Sequence, residues 1–219
     1  MKQPKVIFFD AVGTLFGVRG SVGEVYAEVA RREAKVETDA VAVETAFVES
    51  FKVAPPAEFP DVAPEDLLTR EYQWWYEVAH HTFEAVGVRD RFTDFDRFFD
   101  RLFSYFASAE PWFVYPDVLP TLTYWKQQGV ELGIVSNFDS RLYTVLDALN
   151  LSQFFSSVTI STRVGAAKPN RKIFDRAVAT HDCSPEVAWH VGDSYRDDCE
   201  GARGAGLRGV WLVRDRETE

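Results

Sequence analysis

Four large apolar residues, Val6-Ile7-Phe8-Phe9, run straight into a single carboxylate, Asp10. A short continuous apolar run bounded by a turn signal predicts a strand buried on both faces of a parallel sheet. Ala11-Val12-Gly13-Thr14 follows, and Leu15-Phe16 is apolar again. The pattern then changes. From Val18 to about Pro111 no parallel strand is legible, and apolar positions recur at helical spacing. Ser21 to Lys35 predicts a helix with Val22, Val25, Tyr26 and Val29 on one face. Asp39 has the chemistry of an N-cap for a second helix, which runs to Phe51 and stops at Val53-Ala54-Pro55-Pro56. Pro64-Glu65-Asp66 opens a third, carrying Trp74-Trp75-Tyr76, and Phe92 to Ala107 forms a fourth. A block of roughly 90 residues is too long for a loop and predicts a small helical domain.

From Tyr115 onward strands and helices alternate. Asp117 is expected to cap a helix that Gly129 stops. Val130 to Val135, Ser157 to Ile160, Val187 to Val191 and Gly209 to Val213 read as strands. Ser140 to Leu149, Asn170 to Thr180 and Asp197 to Ala205 read as helices. Such alternation with short connections implies a parallel sheet covered by helices on both faces. The expectation is an α/β protein: a three-layer core from residues 1–16 and 113–219, interrupted by a helical insertion over 17–112.

Composition narrows the function. At 219 residues and 46% apolar, the chain has material for one large domain or a core with an insertion. A net charge of −10 argues against nonspecific nucleic-acid binding and against docking on anionic lipid. An anionic ligand then needs a local positive site or a bound cation. Cys183 and Cys199 form no CxxC pair and read as ordinary thiols of a reducing compartment. The apolar run behind Met1-Lys2-Gln3-Pro4-Lys5 is too short for a secretory signal or a membrane span. A cytoplasmic location is expected, and a monomer is favoured.

The predicted strands bring four loops to one rim of the sheet, where open α/β sheets bind ligands. These loops carry Asp10 and Thr14; Ser136 and Asn137; Lys168; and Asp193 with Asp197 and Asp198. Converging carboxylates repel unless a cation sits between them. Hard oxygen ligands beside an anionic substrate suit Mg²⁺, and Lys168 and Ser136 offer a cation and a hydroxyl donor to a phosphate or carboxylate.

The order and spacing of these groups resemble a known family. Asp10-Ala-Val-Gly-Thr-Leu15, Ser136-Asn137, Lys168-Pro169 and Gly192-Asp-Ser through Asp198 look like the four motifs of the haloacid dehalogenase-like hydrolases. Gly165-Ala-Ala-Lys-Pro-Asn-Arg-Lys-Ile-Phe174 and Gly192-Asp-Ser-Tyr-Arg-Asp-Asp-Cys-Glu-Gly-Ala202 are close to the usual forms of one subfamily, IA. The helical insertion resembles its first type of cap domain. The patch Gln73-Trp74-Trp75 looks like the branch called domain-containing type three, or rhythmically-expressed-gene-two-like. The resemblance implies a Rossmann-like hydrolase core with an inserted helical cap. It also implies a Mg²⁺-dependent phosphatase acting on a small phosphorylated molecule. By this resemblance Asp10 is the nucleophile, and Asp10, Asp193 and the Val12 carbonyl hold Mg²⁺. Asp198 supports the metal through water, with Asp197 as a weaker substitute. Thr14, Ser136 and the Asn137 amide bind the oxygens of the transferring group, and Lys168 neutralises charge.

One position departs from the pattern. Phosphatases of the family usually carry a second aspartate two residues after the nucleophile, and here that residue is Val12. General acid–base help is worth about 10²–10⁴-fold, so alkyl phosphates are expected to be poor substrates. Acyl and aryl phosphates need no such proton. His80 or His81 is the available replacement acid, although either reads first as an ordinary helix residue. Three alternatives stay open. Dehalogenases of the family also lack the second aspartate, but their fourth motif is not built on Gly-Asp. Phosphonate-cleaving relatives use a cap lysine, for which Lys35 and Lys52 are the candidates, each reading first as a solvated charge. A non-catalytic binding descendant would present a surface, and adjacent Trp74, Trp75 and Tyr76 cannot all lie on one helical stripe. Packing between cap and core is the simpler account of those rings.

Overall fold

The computed structural model describes residues 3–214, so Met1, Lys2 and residues 215–219 of the expected core segments lie outside it. Its elements run β1 (Val6–Phe9), β2 (Phe16–Val18), α1 (Val22–Val29), α2 (Ala40–Val53), α3 (Leu67–Ala85), α4 (Phe95–Tyr105) and β3 (Trp112–Val114). They continue α5 (Val118–Gln127), β4 (Glu131–Ser136), α6 (Arg141–Ala148), β5 (Ser157–Ile160), α7 (Ser161–Val164), α8 (Arg171–Val178), β6 (Ala188–Gly192), α9 (Gly201–Gly204) and β7 (Arg208–Trp211). Two compact units result. One comprises the segments that end at Gly17 and begin at Val114, together with Ala57–Pro64. The other comprises Val18–Pro56 and Glu65–Phe113.

The first unit is a parallel sheet in the order β5-β4-β1-β6-β7. All four residues of β1 are buried, which is why its sequence is continuously apolar rather than alternating. Phe9 lies between Ile134 of β4 and Val191 of β6. The Asp10 N–H continues that ladder to Val191 O at 2.9 Å. Phe8, Val135, Ile173, Phe174 and Ala202 form part of a core cluster against this sheet.

The second unit is helical. Ser21 and Glu24 form a capping box at α1, and Asp39 accepts from the Val41 N–H at 3.1 Å at the start of α2. The helix expected to run on to Lys35 instead widens into a π turn over Ala30–Ala34, and Lys35 ends it in the left-handed region at φ 58°. Tyr26, Phe83, Phe95, Phe98 and Leu102 are central to its core. All three rings on α3 find neighbours inside this unit. The Trp74 indole donates to Pro55 O at 2.8 Å. Trp75 packs 5.9 Å from Phe51, and Tyr76 lies edge-on to Phe95 and Phe99 at 5.5 and 5.2 Å. Phe51 of α2 lies 5.7 and 5.9 Å from the two indole rings, while Phe95 and Phe99 of α4 receive Tyr76.

Three further elements differ from what the sequence predicts. β2 and β3 form a two-stranded sheet that three-residue segments give no periodicity to reveal. The segment after Ser194 is a π turn over Tyr195–Glu200 before α9, not a continuous helix. Asp117 stands at the N-cap of α5 without a side-chain capping bond, because its carboxylate is held by Arg214 at 2.9 Å instead. Among the described residues no helix is long and apolar enough to cross a membrane.

Candidate active site

The sheet order places the ends of β4, β1 and β6 side by side, and each ends on site chemistry. Asp10 follows β1, Ser136 closes β4, and Asp193 follows Gly192 at the end of β6. Lys168 enters from the loop between α7 and α8. Its ammonium lies 2.7 Å from Asp10 Oδ1 and 2.6 Å from Asp198 Oδ1. Lys168 and Asp198 are buried, and the Asp10 side chain is only 13% exposed. Thr14 Oγ1 donates to Asp193 Oδ1 at 3.2 Å. Two glycines make room for the carboxylates. Gly13 sits at φ 82°, and a Cβ there would strike the Asp193 carboxylate. A Cβ on Gly192 would strike that of Asp198.

Asp198 uses both oxygens. Oδ1 accepts from Lys168 and from His190 Nε2 at 2.8 Å, and Oδ2 accepts from the Ser194 N–H at 3.0 Å. Although burial opposes its charge, these donors hold the Asp198 carboxyl well below the usual carboxylate range. Burial opposes the charge of Lys168 too, but Asp10 and Asp198 outweigh it and raise the ammonium above its ordinary value. Burial lowers His190 below its ordinary value, and its Nε2 carries the hydrogen that the Asp198 carboxylate accepts. His190 Nδ1 is buried without a hydrogen-bond partner.

Asp10, Asp193 and Asp198 each offer an oxygen, all within 4.8 Å of one another. Three carboxylates against one ammonium leave two negative charges in excess. Packing and the Asp10 carboxylate push the Asp193 carboxyl above its ordinary value. Asp193 as a residue is solvent-exposed, yet its carboxylate lies against Gly13. Three hard oxygens this close, with two negative charges in excess, fit a divalent cation.

The structure brings Asp10, Thr14, Lys168, Asp193 and Asp198 together. Ser136 is buried at the end of β4, and Val12 sits in the same loop as Thr14, bridged to Phe16. Asn137 takes part through its side chain, which bonds the Lys168 backbone at 2.7 and 3.0 Å. Packing raises Asp197, whose N–H donates to Ser194 Oγ at 3.1 Å. In the helical unit, His80 packs against Tyr76 and Phe95 and lies 3.9 Å from Glu84. Lys35 Nζ donates to Arg32 O at 3.1 Å, and Lys52 lies 3.9 Å from Glu49. Three residues at or around the site are not legible in the sequence. His190 is marked only as the one ionisable group in β6. Glu58, which accepts from the Ala167 N–H at 2.6 Å, and Arg214 carried no local signal.

The fold and these motifs define a class. The family model of the haloacid dehalogenase-like hydrolases matches residues 4–206, and the chain belongs to that family of hydrolases. Within it the chain falls in the branch of domain-containing protein 3. It is 37% identical over 205 residues to haloacid dehalogenase-like hydrolase domain-containing protein 3 of Mus musculus, covering 94% of this chain and 80% of that one. It is 39% identical over 110 residues to glyceraldehyde 3-phosphate phosphatase of Methanopyrus kandleri, covering 50% of this chain and 46% of that one. Among solved structures, L-2-haloacid dehalogenase from Xanthobacter autotrophicus aligns with a TM-score of 0.65 at 19% identity, covering 94% of this chain and 76% of that one. This last likeness is one of fold.

Proposed function

We propose that the chain is a Mg²⁺-dependent phosphatase that works through an aspartyl phosphate on Asp10 and acts on a small phosphorylated metabolite. The observation that carries this reading is the excess of carboxylate over ammonium at the rim of the sheet. An anionic substrate is repelled there unless a cation is present. Asp10, Asp193 and the Val12 carbonyl are the groups to hold Mg²⁺, with Asp198 supporting it through water. When bound, Mg²⁺ supplies charge neutralisation to the phosphoryl oxygens.

The chain's own residues do the rest. An Asp10 oxygen forms a bond to phosphorus as the bond to the leaving oxygen breaks, and the leaving group departs with the electron pair. Water then attacks phosphorus, the Asp10–phosphorus bond breaks, and inorganic phosphate leaves. Lys168 stabilises charge on Asp10 and on the transferring group. Thr14, Ser136 and the Asn137 N–H bind its oxygens. Val12 has no proton to give, so the reading favours acyl and aryl phosphates over alkyl ones. The helical unit acts as a cap that excludes water and selects the substrate. The resemblance to a phosphatase over half the chain supports this reading.

The test is hydrolysis of para-nitrophenyl phosphate and acetyl phosphate, with and without Mg²⁺, by wild type, Asp10→Asn and Val12→Asp. Mg²⁺-dependent turnover that vanishes in Asp10→Asn supports the reading, and a gain on alkyl phosphates in Val12→Asp identifies what Val12 removes. Equal turnover in EDTA overturns the metal-dependent form. No turnover, with halide released from 2-haloacids, replaces this reading with a dehalogenase. Neither activity in a folded protein leaves a binding descendant.

A further inference from the structure

Arg214, three residues beyond β7, reaches back to the loop that follows the nucleophile. Its Nη2 donates to Thr14 O at 2.6 Å and its Nε to Gly13 O at 3.2 Å. Nη1 pairs with Asp117 Oδ1 at 2.9 Å, and the guanidinium carbon lies 3.7 Å from the centre of the Tyr115 ring. The side chain is 21% exposed. One planar fork thus binds two backbone carbonyls and a carboxylate while stacking on an aromatic face, which an ammonium cannot do.

The two carbonyls belong to the residues that set Asp193 in place. Gly13 lies against the Asp193 carboxylate, and Thr14 donates to it. The loop's other bonds mostly close it on itself. The N–H groups of Thr14, Leu15 and Phe16 all turn to Ala11 O, at 3.3, 2.8 and 3.3 Å. They give the loop its shape, and the Tyr115 N–H ties its far end through Leu15 O at 3.2 Å, but none of these bonds holds the Gly13 or Thr14 carbonyl. We propose that Arg214 is a positioning residue: it latches the Gly13–Thr14 peptides to Asp117 and so holds Thr14 and Asp193 in register with Asp10. The consequence for turnover rests on the phosphatase reading, whereas the latch itself does not.

Two measurements on wild type, Arg214→Gln, Arg214→Lys and Asp117→Asn test this. The first is amide hydrogen exchange without metal or substrate. In Arg214→Gln, protection of the Thr14, Leu15 and Phe16 amides should fall about tenfold while β4 keeps its own. The second is steady-state hydrolysis of para-nitrophenyl phosphate in excess Mg²⁺. There kcat should fall about tenfold with KM within about twofold, the signature of a lost transition-state geometry. Arg214→Lys should rescue neither readout. Asp117→Asn, which bonds no loop atom, should shift both in the same direction by less.

Unchanged loop exchange in Arg214→Gln overturns the latch. Rescue of both readouts by Arg214→Lys overturns the fork argument, because charge alone then suffices. Faster exchange with an unchanged kcat overturns the positioning role. If Arg214→Gln does not fold, Asp117→Asn decides, and wild-type exchange there sinks the proposal. A wild type without turnover overturns the phosphatase reading and leaves the exchange measurement to judge the latch.

Discussion

The Asn137 side chain and the Lys168 backbone hold one another through two hydrogen bonds: the Lys168 N–H donates to Asn137 Oδ1 at 2.7 Å, and Asn137 Nδ2 donates back to Lys168 O at 3.0 Å. The end of β4 is thereby tied to the loop that delivers the buried ammonium. Both bonds fix the point from which the Lys168 side chain reaches Asp10. Asn137→Ala removes the pair. A misplacement of about 1 Å costs roughly 10²-fold, so kcat should fall by about 10–100-fold with a smaller change in KM. Asn137→Asp keeps the acceptor for the N–H but sets a carboxylate against Lys168 O, so it should not rescue. Steady-state kinetics on an aryl phosphate separates the two variants.

Lys168 faces two carboxylates from a buried position, so its removal leaves uncompensated charge. Lys168→Met should abolish measurable turnover, a loss of at least about 10³-fold. Breaking a buried pair by deleting one partner costs about 3–5 kcal/mol, read from urea unfolding. The structure also states a coupling. Asp198 is the partner of Lys168 that also engages His190 and Ser194. Adding Asp198→Asn to Lys168→Met should therefore recover stability that neither single variant predicts, by about 0.5–3 kcal/mol in a double-mutant cycle. Strict additivity of the two single effects would show that the pair is not energetically linked.

What was legible in the sequence follows from where the information sits. Asp10, Asp193 and Ser136 lie at or next to the ends of buried apolar runs, so strand pattern and parallel topology together place them on one rim. Lys168 is legible through its Gly-Ala-Ala-Lys-Pro setting rather than through periodicity. His190 hid inside β6, where a single histidine among Ala188, Trp189 and Val191 reads as a satisfied core residue. Only the structure shows that its partner is Asp198. Glu58 lies in a proline-flanked stretch with no period, and it matters because of a contact 109 residues away in the chain. Arg214 acts on residues 200 and 201 positions earlier. No local pattern encodes such distances. The π turn after α1 escapes for another reason: Ala30–Ala34 has the same helix-forming chemistry as the turn before it, so no residue type marks the widening.

The helical unit carries a pH dependence of its own. The Tyr72 and Tyr76 hydroxyls donate to Asp100 and Asp96, each at 2.6 Å. Burial first, and then these carboxylates, raise both phenols above their ordinary value. A raised folded pKa contributes stability that is fully present below the unfolded value, about 10. That stability is lost as pH rises from there through the folded value. Unfolding free energy measured between about pH 8.5 and 11 should decline at the alkaline end. Tyr72→Phe and Tyr76→Phe should each flatten the decline. An unaltered slope in the double phenylalanine variant would assign the alkaline loss to other groups.

The stretch Ala57–Pro64 lies between two helices of the helical unit in sequence, yet it packs with the α/β unit. Glu58 accepts from the Ala167 N–H at 2.6 Å, and Ser161 Oγ donates to Ala57 O at 2.7 Å. Ala167 directly precedes Lys168, so the Glu58 carboxylate braces the same loop that Asn137 clamps from β4. Glu58→Ala deletes the acceptor and leaves a backbone N–H to water. The stretch should then detach more often, and cleavage of residues 57–64 by a broad-specificity protease should accelerate several-fold, by about 3–10. A smaller loss in kcat, about 3–10-fold, should accompany it. Glu58→Gln keeps an acceptor oxygen and should stay near wild type in both measurements. Equal cleavage rates in wild type and Glu58→Ala would mean that the Ser161–Ala57 bond and the burial of Phe59 suffice to hold the stretch.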